Sequence, residues 1–300
     1  MPNKSDSAGK LHQFFTYTSL KDAFPKAEST SPLDDEEKLN EHRSQFDNDE
    51  LESLKIIGLK SCQIIIQHYD KQIIKIFDVG ESAGAGRINQ TADIIVSHSN
   101  NCSESYSLKC AKSFTEVLSR NPGAKSLFTK YFNNQKLQQD FNLYLDNKLL
   151  NFLNSILNTN FETIPKARAH INENSKNRFN DKPRFNSYDD ANELRDEFLK
   201  SIRRKAFLII KEMNMESITK AVNLILDSGK NHILAQYKKD NEEAELDIIP
   251  KKTVNDDCKL EISGNDTFSI IYNDYLVKFR YKFESAITSS IKLVGSYKKI

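Results

Sequence analysis

Three short β-like runs lie between Gln72 and Ala111, and they constrain the fold more than any other part of the chain. They are Gln72–Val79 (QIIKIFDV), Ala92–His98 (ADIIVSH) and Ser105–Ala111 (SYSLKCA). The first two are separated by a Gly-rich loop, GESAGAGRINQT. The second and third are separated by SNNCSE, a six-residue segment with turn chemistry. A connection that short lets the two runs pair as an antiparallel hairpin, whereas a parallel pair needs a crossover of a dozen residues or more. Side chains alternate along a strand, so Ser107 and Lys109 share one face of the third run. Asp93, at the start of the second run, can then stand beside both.

The surrounding chain alternates in character. Residues 1–33 are rich in Ser, Lys and Asp and read as a flexible N-terminal arm with at most a short helix. From Asp34 the apolar residues Leu51, Leu54, Ile57, Leu59 and Ile64 recur at roughly helical spacing, although Gly58 argues against one unbroken helix. A helix is expected at Ser113–Arg120, stopped by Asn121–Pro122–Gly123. Gln135–Leu157, Asp189–Asn214 and Glu216–Gly229 also read as helices. Residues 162–187 are polar and basic without periodicity and read as a long loop. From His232 onward the pattern turns to strands: HILAQYK, AELDIIP, CKLEIS, TFSIIY, YLVKFRYKF and SSIKLVGSY. The order of helix, strands, helices and strands predicts a mixed α+β (α/β) fold. After the arm, residues 34–300 read as a single domain. Its parts are a core over 34–133, a helical part over 134–230 and a β part over 231–300.

Charge and composition exclude several function classes. The 300 residues carry a formal net charge of +1, but residues 1–54 hold 6 Lys/Arg against 12 Asp/Glu. The remainder is therefore moderately basic, which suits a nucleic-acid partner. Four cysteines (Cys62, Cys102, Cys110, Cys258) show no CxxC pair and no zinc spacing, and the six histidines form no HExxH cluster. Reduced, mostly buried thiols are expected. No run of 18 apolar residues exists and the first residues lack an apolar signal core, so a cytoplasmic protein with no membrane partner is expected. The glycines at 80, 84 and 86 lack the GK[ST] of a phosphate-binding loop.

The hairpin carries the chemistry. A phosphodiesterase needs a carboxylate to hold Mg²⁺, which takes oxygen ligands and retains waters. The metal activates a water and polarises the phosphate, and a nearby lysine stabilises the developing charge. Lys109 lies between Leu108 and Cys110 in a run short of surface charge, so it is expected to be semi-buried and partnered.

Ala92–Asp93 and Ser107–Leu108–Lys109 resemble the two elements of the PD-(D/E)xK nuclease superfamily, especially type II restriction endonucleases. The resemblance covers roughly residues 50–120 and implies a core of helix, three strands and helix. It implies a Mg²⁺-dependent endodeoxyribonuclease with Asp93 as metal ligand and Lys109 and Ser107 at the reacting centre. Ala92 replaces the motif proline, and Ser107 replaces the second acid. In such SxK variants the acid is displaced to the following helix, which points to Glu116. A helix-borne acid before the strands points to Glu50 or Glu52, with Glu52 favoured. Glu104 falls on the opposite strand face from Lys109.

A double-stranded DNA partner is implied by the same resemblance, and a homodimer fits cleavage of both strands. The basic stretch from Lys166 to Lys211 is interleaved with Phe179, Phe185 and Tyr188, and its most pointed part is Arg203–Arg204–Lys205. Lys278, Arg280 and Lys282 fall on one strand face opposite Val277, Phe279 and Tyr281. A rival reading is a non-catalytic nucleic-acid-binding or interaction protein with a degenerate nuclease-like core, since the second acid is missing from the hairpin.

Overall fold

A computed structural model describes residues 4–31, 36–68, 72–79, 92–113, 116–118, 122–174, 190–251, 258–264, 266–272, 274–283 and 286–300. The elements are α1 (Lys4–Ala23), β1 (Glu28–Thr30), α2 (Glu36–Arg43), α3 (Asn48–His68), β2 (Ile73–Asp78), β3 (Ile94–His98), β4 (Ser103–Ala111) and β5 (Val117–Leu118). There follow α4 (Leu127–Phe132), α5 (Gln135–Leu157), α6 (Ile164–Asn174), α7 (Ala191–Lys211) and α8 (Met215–Leu226). The chain ends with β6 (Asn231–Lys238), β7 (Asn241–Ile248), β8 (Lys259–Ser263), β9 (Thr267–Tyr272), β10 (Tyr275–Phe283) and β11 (Ile291–Lys299). The mixed α+β class read from the sequence is thus found, as helices and two sheets.

Two units partition these elements. The first comprises Met1–Val117 and Gly229–Pro250. Its six-stranded sheet has the order β1-β2-β3-β4-β6-β7. β2, β3 and β4 form an antiparallel meander, β4 runs parallel to β6, and β7 returns antiparallel along β6. One face of this sheet is apolar and is covered by α1 and α3. Tyr17 and Leu20 of α1 and Cys62 and Ile65 of α3 pack against Ile76, Ile94, Val96, Tyr106, Leu108 and Ile233.

The sequence reading of residues 1–33 as a loose arm differs from this structure. Residues Lys4–Ala23 form a twenty-residue helix, and Leu11, Tyr17 and Leu20 are fully or almost fully buried. The periodicity was masked because Ser7, His12, Gln13 and Thr16, all polar, occupy buried positions on the same helix. α3 runs unbroken through Gly58. There the backbone of α1 crosses so closely that a Cβ on residue 58 would lie 2.5 Å from Phe15 Cβ and 2.9 Å from the Phe15 carbonyl carbon.

In the second unit, Leu118–Ser228 and Lys251–Ile300, β10 is flanked by β9 and β11 in the sheet order β5-β11-β10-β9-β8. Val277, Phe279 and Tyr281 are buried along β10, as their alternation predicted. Phe152 of α5, Phe198 of α7 and Phe283 of β10 meet with ring centroids 5.2–5.6 Å apart. Asn134 caps α5 by accepting from Leu137 N at 3.0 Å, and the helix ends at Asn158 in the left-handed region.

Two local expectations are corrected. The helix at Ser113–Arg120 does not form: residues 112, 113 and 116 are bends and Val117–Leu118 is strand. A segment this short has too few hydrogen bonds to offset helix nucleation without a buried face. Conversely, residues 164–174 of the expected loop are helical, with Ala167 and Ile171 fully buried at i and i+4.

The crossing at Gly58 yields a first prediction. Alanine favours a helix over glycine by about 1 kcal/mol, so Gly58→Ala would stabilise an isolated α3. Here the added methyl meets backbone atoms of α1, and the net result expected is a loss of roughly 1–3 kcal/mol. Urea unfolding reads this directly, and a stabilised variant would refute the crossing.

The same interface sets a pH dependence. His12 is fully buried, with Nε2 2.8 Å from Ser61 Oγ on α3. Burial pushes its imidazole down from 6.5 to about 3. Between those values the unfolded chain binds a proton that the folded chain refuses, so stability is full above 6.5 and falls as the pH drops toward 3. Urea midpoints should fall on acidification, and His12→Gln should flatten that fall. Parallel curves for the two proteins would count against it.

Candidate active site

Asp93 immediately precedes β3, and its main chain is held on both sides. Its N–H donates to Tyr106 O at 2.8 Å, and its carbonyl accepts from Val79 N at 3.0 Å and from Gln13 Nε2 at 3.0 Å. The side chain is held as well. Oδ2 accepts from Leu108 N at 2.7 Å and from Ser107 Oγ at 3.4 Å. Oδ1 takes no hydrogen bond among the described residues.

The register explains the arrangement. Ile94 pairs with Tyr106, so continuing the ladder by one residue sets Asp93 opposite Ser107. Tyr106 and Leu108 belong to the core beneath α1 and α3. By strand alternation, Ser107 and Lys109 occupy the other face. Across the parallel pairing, Ser107 lies beside His232 and Lys109 beside Leu234. His232 in turn lies beside Asp247 of β7.

The electrostatics follow from burial. Loss of water pushes the Asp93 carboxyl up from its ordinary value, opposed first by the charge of Lys109 and then by the Leu108 N–H, Lys10 and Ser107. Lys109 is half-buried and forms no ion pair within 4.0 Å among the described residues. The ammonium and the carboxylate therefore act on each other without contact. An arrangement of this kind suits a charged or polar group bound between them.

The other acids named from sequence are placed differently. Glu52 is exposed on α3 and pairs with Lys55 at 3.1 Å. Glu50, one half-turn earlier, is the more enclosed of the two. It accepts from Lys4 at 2.6 Å and from Lys112 at 3.1 Å, and the Lys4 bond heads the causes that lower its carboxyl. Glu116 sits half-buried at a bend between β4 and β5, not on a helix. Glu104 makes contacts of its own on the opposite face, accepting from Tyr106 Oη at 2.5 Å. Among the described residues, no group of three or more His, Cys, Asp or Glu is arranged to hold a metal ion.

Two residues near Asp93 went unseen in the sequence. Gln13 falls in the segment whose composition reads as an arm, and Asp78 ends β2. Asp78 is buried, accepting from Gln13 Nε2 at 2.5 Å and from Ser31 Oγ at 2.5 Å. An acid at the end of QIIKIFDV was a visible signal for Asp78; nothing local pointed to Gln13.

The basic residues of the second unit separate into surface and core. Arg203 is 6% exposed and donates to Gly264 O, so its guanidinium is committed inside the unit. Arg204 and Lys205 are exposed, with the Lys205 ammonium 5.9 Å from the Tyr144 ring centroid. On β10, Arg280 pairs with Asp266 at 2.7 Å, Lys282 is exposed and Lys278 is half-buried. Phe179, Phe185, Tyr188 and the glycines at 80, 84 and 86 lie outside the described residues. All four cysteines are free thiols; Cys102 is exposed. Among the described residues, no helix is long and apolar enough to cross a membrane.

Comparison with known proteins finds one kind of likeness. The chain is 24% identical over 219 residues to the type II restriction enzyme BsuRI of Bacillus subtilis. The match covers 70% of this chain and 37% of that protein, so the chain spans little more than a third of its relative's length. No family model matches, and no solved structure matches.

The raised Asp93 carboxyl has a testable consequence. The folded chain holds this proton to higher pH than the unfolded chain, so ionising Asp93 costs stability as pH rises through the folded value. Asp93→Asn keeps an acceptor for Leu108 N without the charge. Its stability relative to the parent protein is therefore expected to improve from about pH 4 to about pH 7. A difference in unfolding midpoint that is the same at both pH values would show that Asp93 is not desolvated.

Proposed function

We propose that this protein is a Mg²⁺-dependent endonuclease of the type II restriction kind, acting on double-stranded DNA. The observation that carries this reading is the pairing of a locked carboxylate with an uncommitted cation. Asp93 Oδ2 is fixed by Leu108 N and Ser107 while, among the described residues, Oδ1 stays open and Lys109, on the same strand face, has no ion-pair partner. The likeness to a restriction enzyme supports it independently.

The donor set is consistent with a hard cation that keeps most of its waters. A single open carboxylate oxygen suits Mg²⁺, which is commonly held by one or two carboxylates together with substrate phosphates. Asp93 would hold it, with Glu116 as the candidate second acid. When bound, the ion polarises the scissile phosphate and lowers the pKa of a coordinated water. The chain's own groups supply the rest. Ser107 and Leu108 orient the Asp93 carboxylate, and Lys109 faces the charge that grows on the phosphate oxygens. Arg204, Lys205, Lys278, Arg280 and Lys282 are the proposed contacts to the DNA backbone. The protein acts in the cytoplasm, working as a homodimer to cut both strands.

Ser107, which stands opposite Asp93 where the motif carries a second acid, favours a second reading, a DNA-binding protein that does not cleave. Incubation with plasmid and phage DNA, with Mg²⁺ or with EDTA, separates the two. Cleavage is expected only with the metal, and Asp93→Ala and Lys109→Ala should each lower the rate by about 100-fold or more. DNA binding without cleavage, or full activity in both variants, would overturn the nuclease assignment.

A further inference from the structure

Gln13 makes two contacts that ordinary helix packing does not require. It is 4% exposed on α1, and its Nε2 donates both to Asp78 Oδ1 and to Asp93 O. These acceptors lie at facing ends of adjacent strands, since Asp78 pairs with Ile94, the residue after Asp93. Asp78 is itself 5% exposed, and its second oxygen accepts from Ser31. A buried carboxylate and a buried amide cost more to desolvate than the apolar contacts that already join α1 to the sheet. What they add is direction, because the amide fits only one placement of α1 along β2 and β3.

We infer that Gln13 is a positioning residue for Asp93. Its amide clamps the main chain of the residue whose carboxylate faces Lys109, and the Asp78 carboxylate holds that amide in place. Asp93 carries four further hydrogen bonds, from Val79 and to Tyr106 on its main chain and from Leu108 and Ser107 on its side chain. Among the described residues, Gln13 is the one contributed from outside the meander. Lys10 lies one turn earlier on α1 and its charge acts on the Asp93 carboxyl, so a shift of α1 also moves a cation. A displacement of about 1 Å at a reacting group is enough to slow catalysis strongly. The inference rests on Asp93 being the functional acid proposed above.

The decisive variant combines Gln13→Glu with Asp78→Asn. It keeps volume and net charge and retains a hydrogen bond between positions 13 and 78, now donated by the asparagine. Ser31 keeps an acceptor. Of these contacts at positions 13 and 78, donation to Asp93 O is the one lost while the introduced glutamate is ionised, since an ionised carboxylate has no proton to give. Mn²⁺ affinity, read by electron paramagnetic resonance without DNA, is expected to weaken by roughly 10-fold, with kcat lowered and KM unchanged. The thermal midpoint should stay near that of the parent protein. If the double variant does not fold, Gln13→Leu with Asp78→Leu replaces both polar partners by an apolar pair and is read in the same way. Parent-like Mn²⁺ affinity and kcat in a folded variant would overturn the inference. Asp93→Ala separates the two levels: an inactive Asp93→Ala beside a fully active double variant sinks only the role of Gln13. A fully active Asp93→Ala sinks the nuclease reading and this inference with it.

Discussion

The close crossing of α1 over α3 at Gly58 is the contact on which the first unit depends. With no side chain at residue 58, the backbone of α1 reaches van der Waals distance of α3. That approach places His12 against Ser61, Tyr17 and Leu20 over the sheet, and Gln13 at the ends of β2 and β3. A single helix thus serves apolar packing and, at Ser7, His12 and Gln13, polar contact with three different elements. The polar positions are not exposed defects of an amphipathic helix: Ser7 meets His42 of α2, His12 meets Ser61 of α3, and Gln13 meets the strand ends.

Asp93 shows how a strand edge can prepare a charged group. Its carboxylate is desolvated, which disfavours ionisation, yet it receives a peptide N–H and a hydroxyl and lies within the field of Lys109 and Lys10. Opposing influences of this kind leave a group responsive to a bound cation, which would tip the balance toward the charged form. Lys109 is complementary: half-buried on a face that carries Ser107 and Leu234, it has no carboxylate in contact among the described residues. The rest of the first unit's charge is arranged differently. Lys4, Lys112 and Glu50 satisfy one another, as do Lys239 and Asp49. Exposed pairs of this kind contribute little to stability.

The legible parts of the fold were those governed by local period. β3, β10 and most of β7 and β11 alternate in burial every second residue, and α5 follows the Leu/Phe spacing of Gln135–Leu157 to its ends. α1 was not legible because its buried face is half polar, and α6 because only Ala167 and Ile171 mark its inner side. The hairpin of Asp93, Ser107 and Lys109 could be read because strand parity and a short turn define it. The choice between Glu50 and Glu52 could not. Two residues apart on a helix differ by about 200° in direction, and which of them is enclosed depends on how α3 is rotated against β6 and β7. The structure leaves the Glu50 side chain 11% exposed and that of Glu52 63%. Gln13 is further still from local rules, since its partners lie 65 and 80 positions along the chain.

The first unit is discontinuous, and that sets an order of events at synthesis. β4 lies between β3 and β6, yet β6 is translated only after the whole run from Leu118 to Ser228. A nascent chain that already displays Asp93 and Lys109 still has an open edge on β4. α1, made first, must wait for α3 and the strand ends before its buried polar groups find partners. Long-range pairings of this kind form slowly, because loop closure precedes the gain from contact. Synthesis interrupted before Asn231 therefore leaves a product holding every acid and lysine of the hairpin but lacking the two strands, β6 and β7, that complete the sheet beside it.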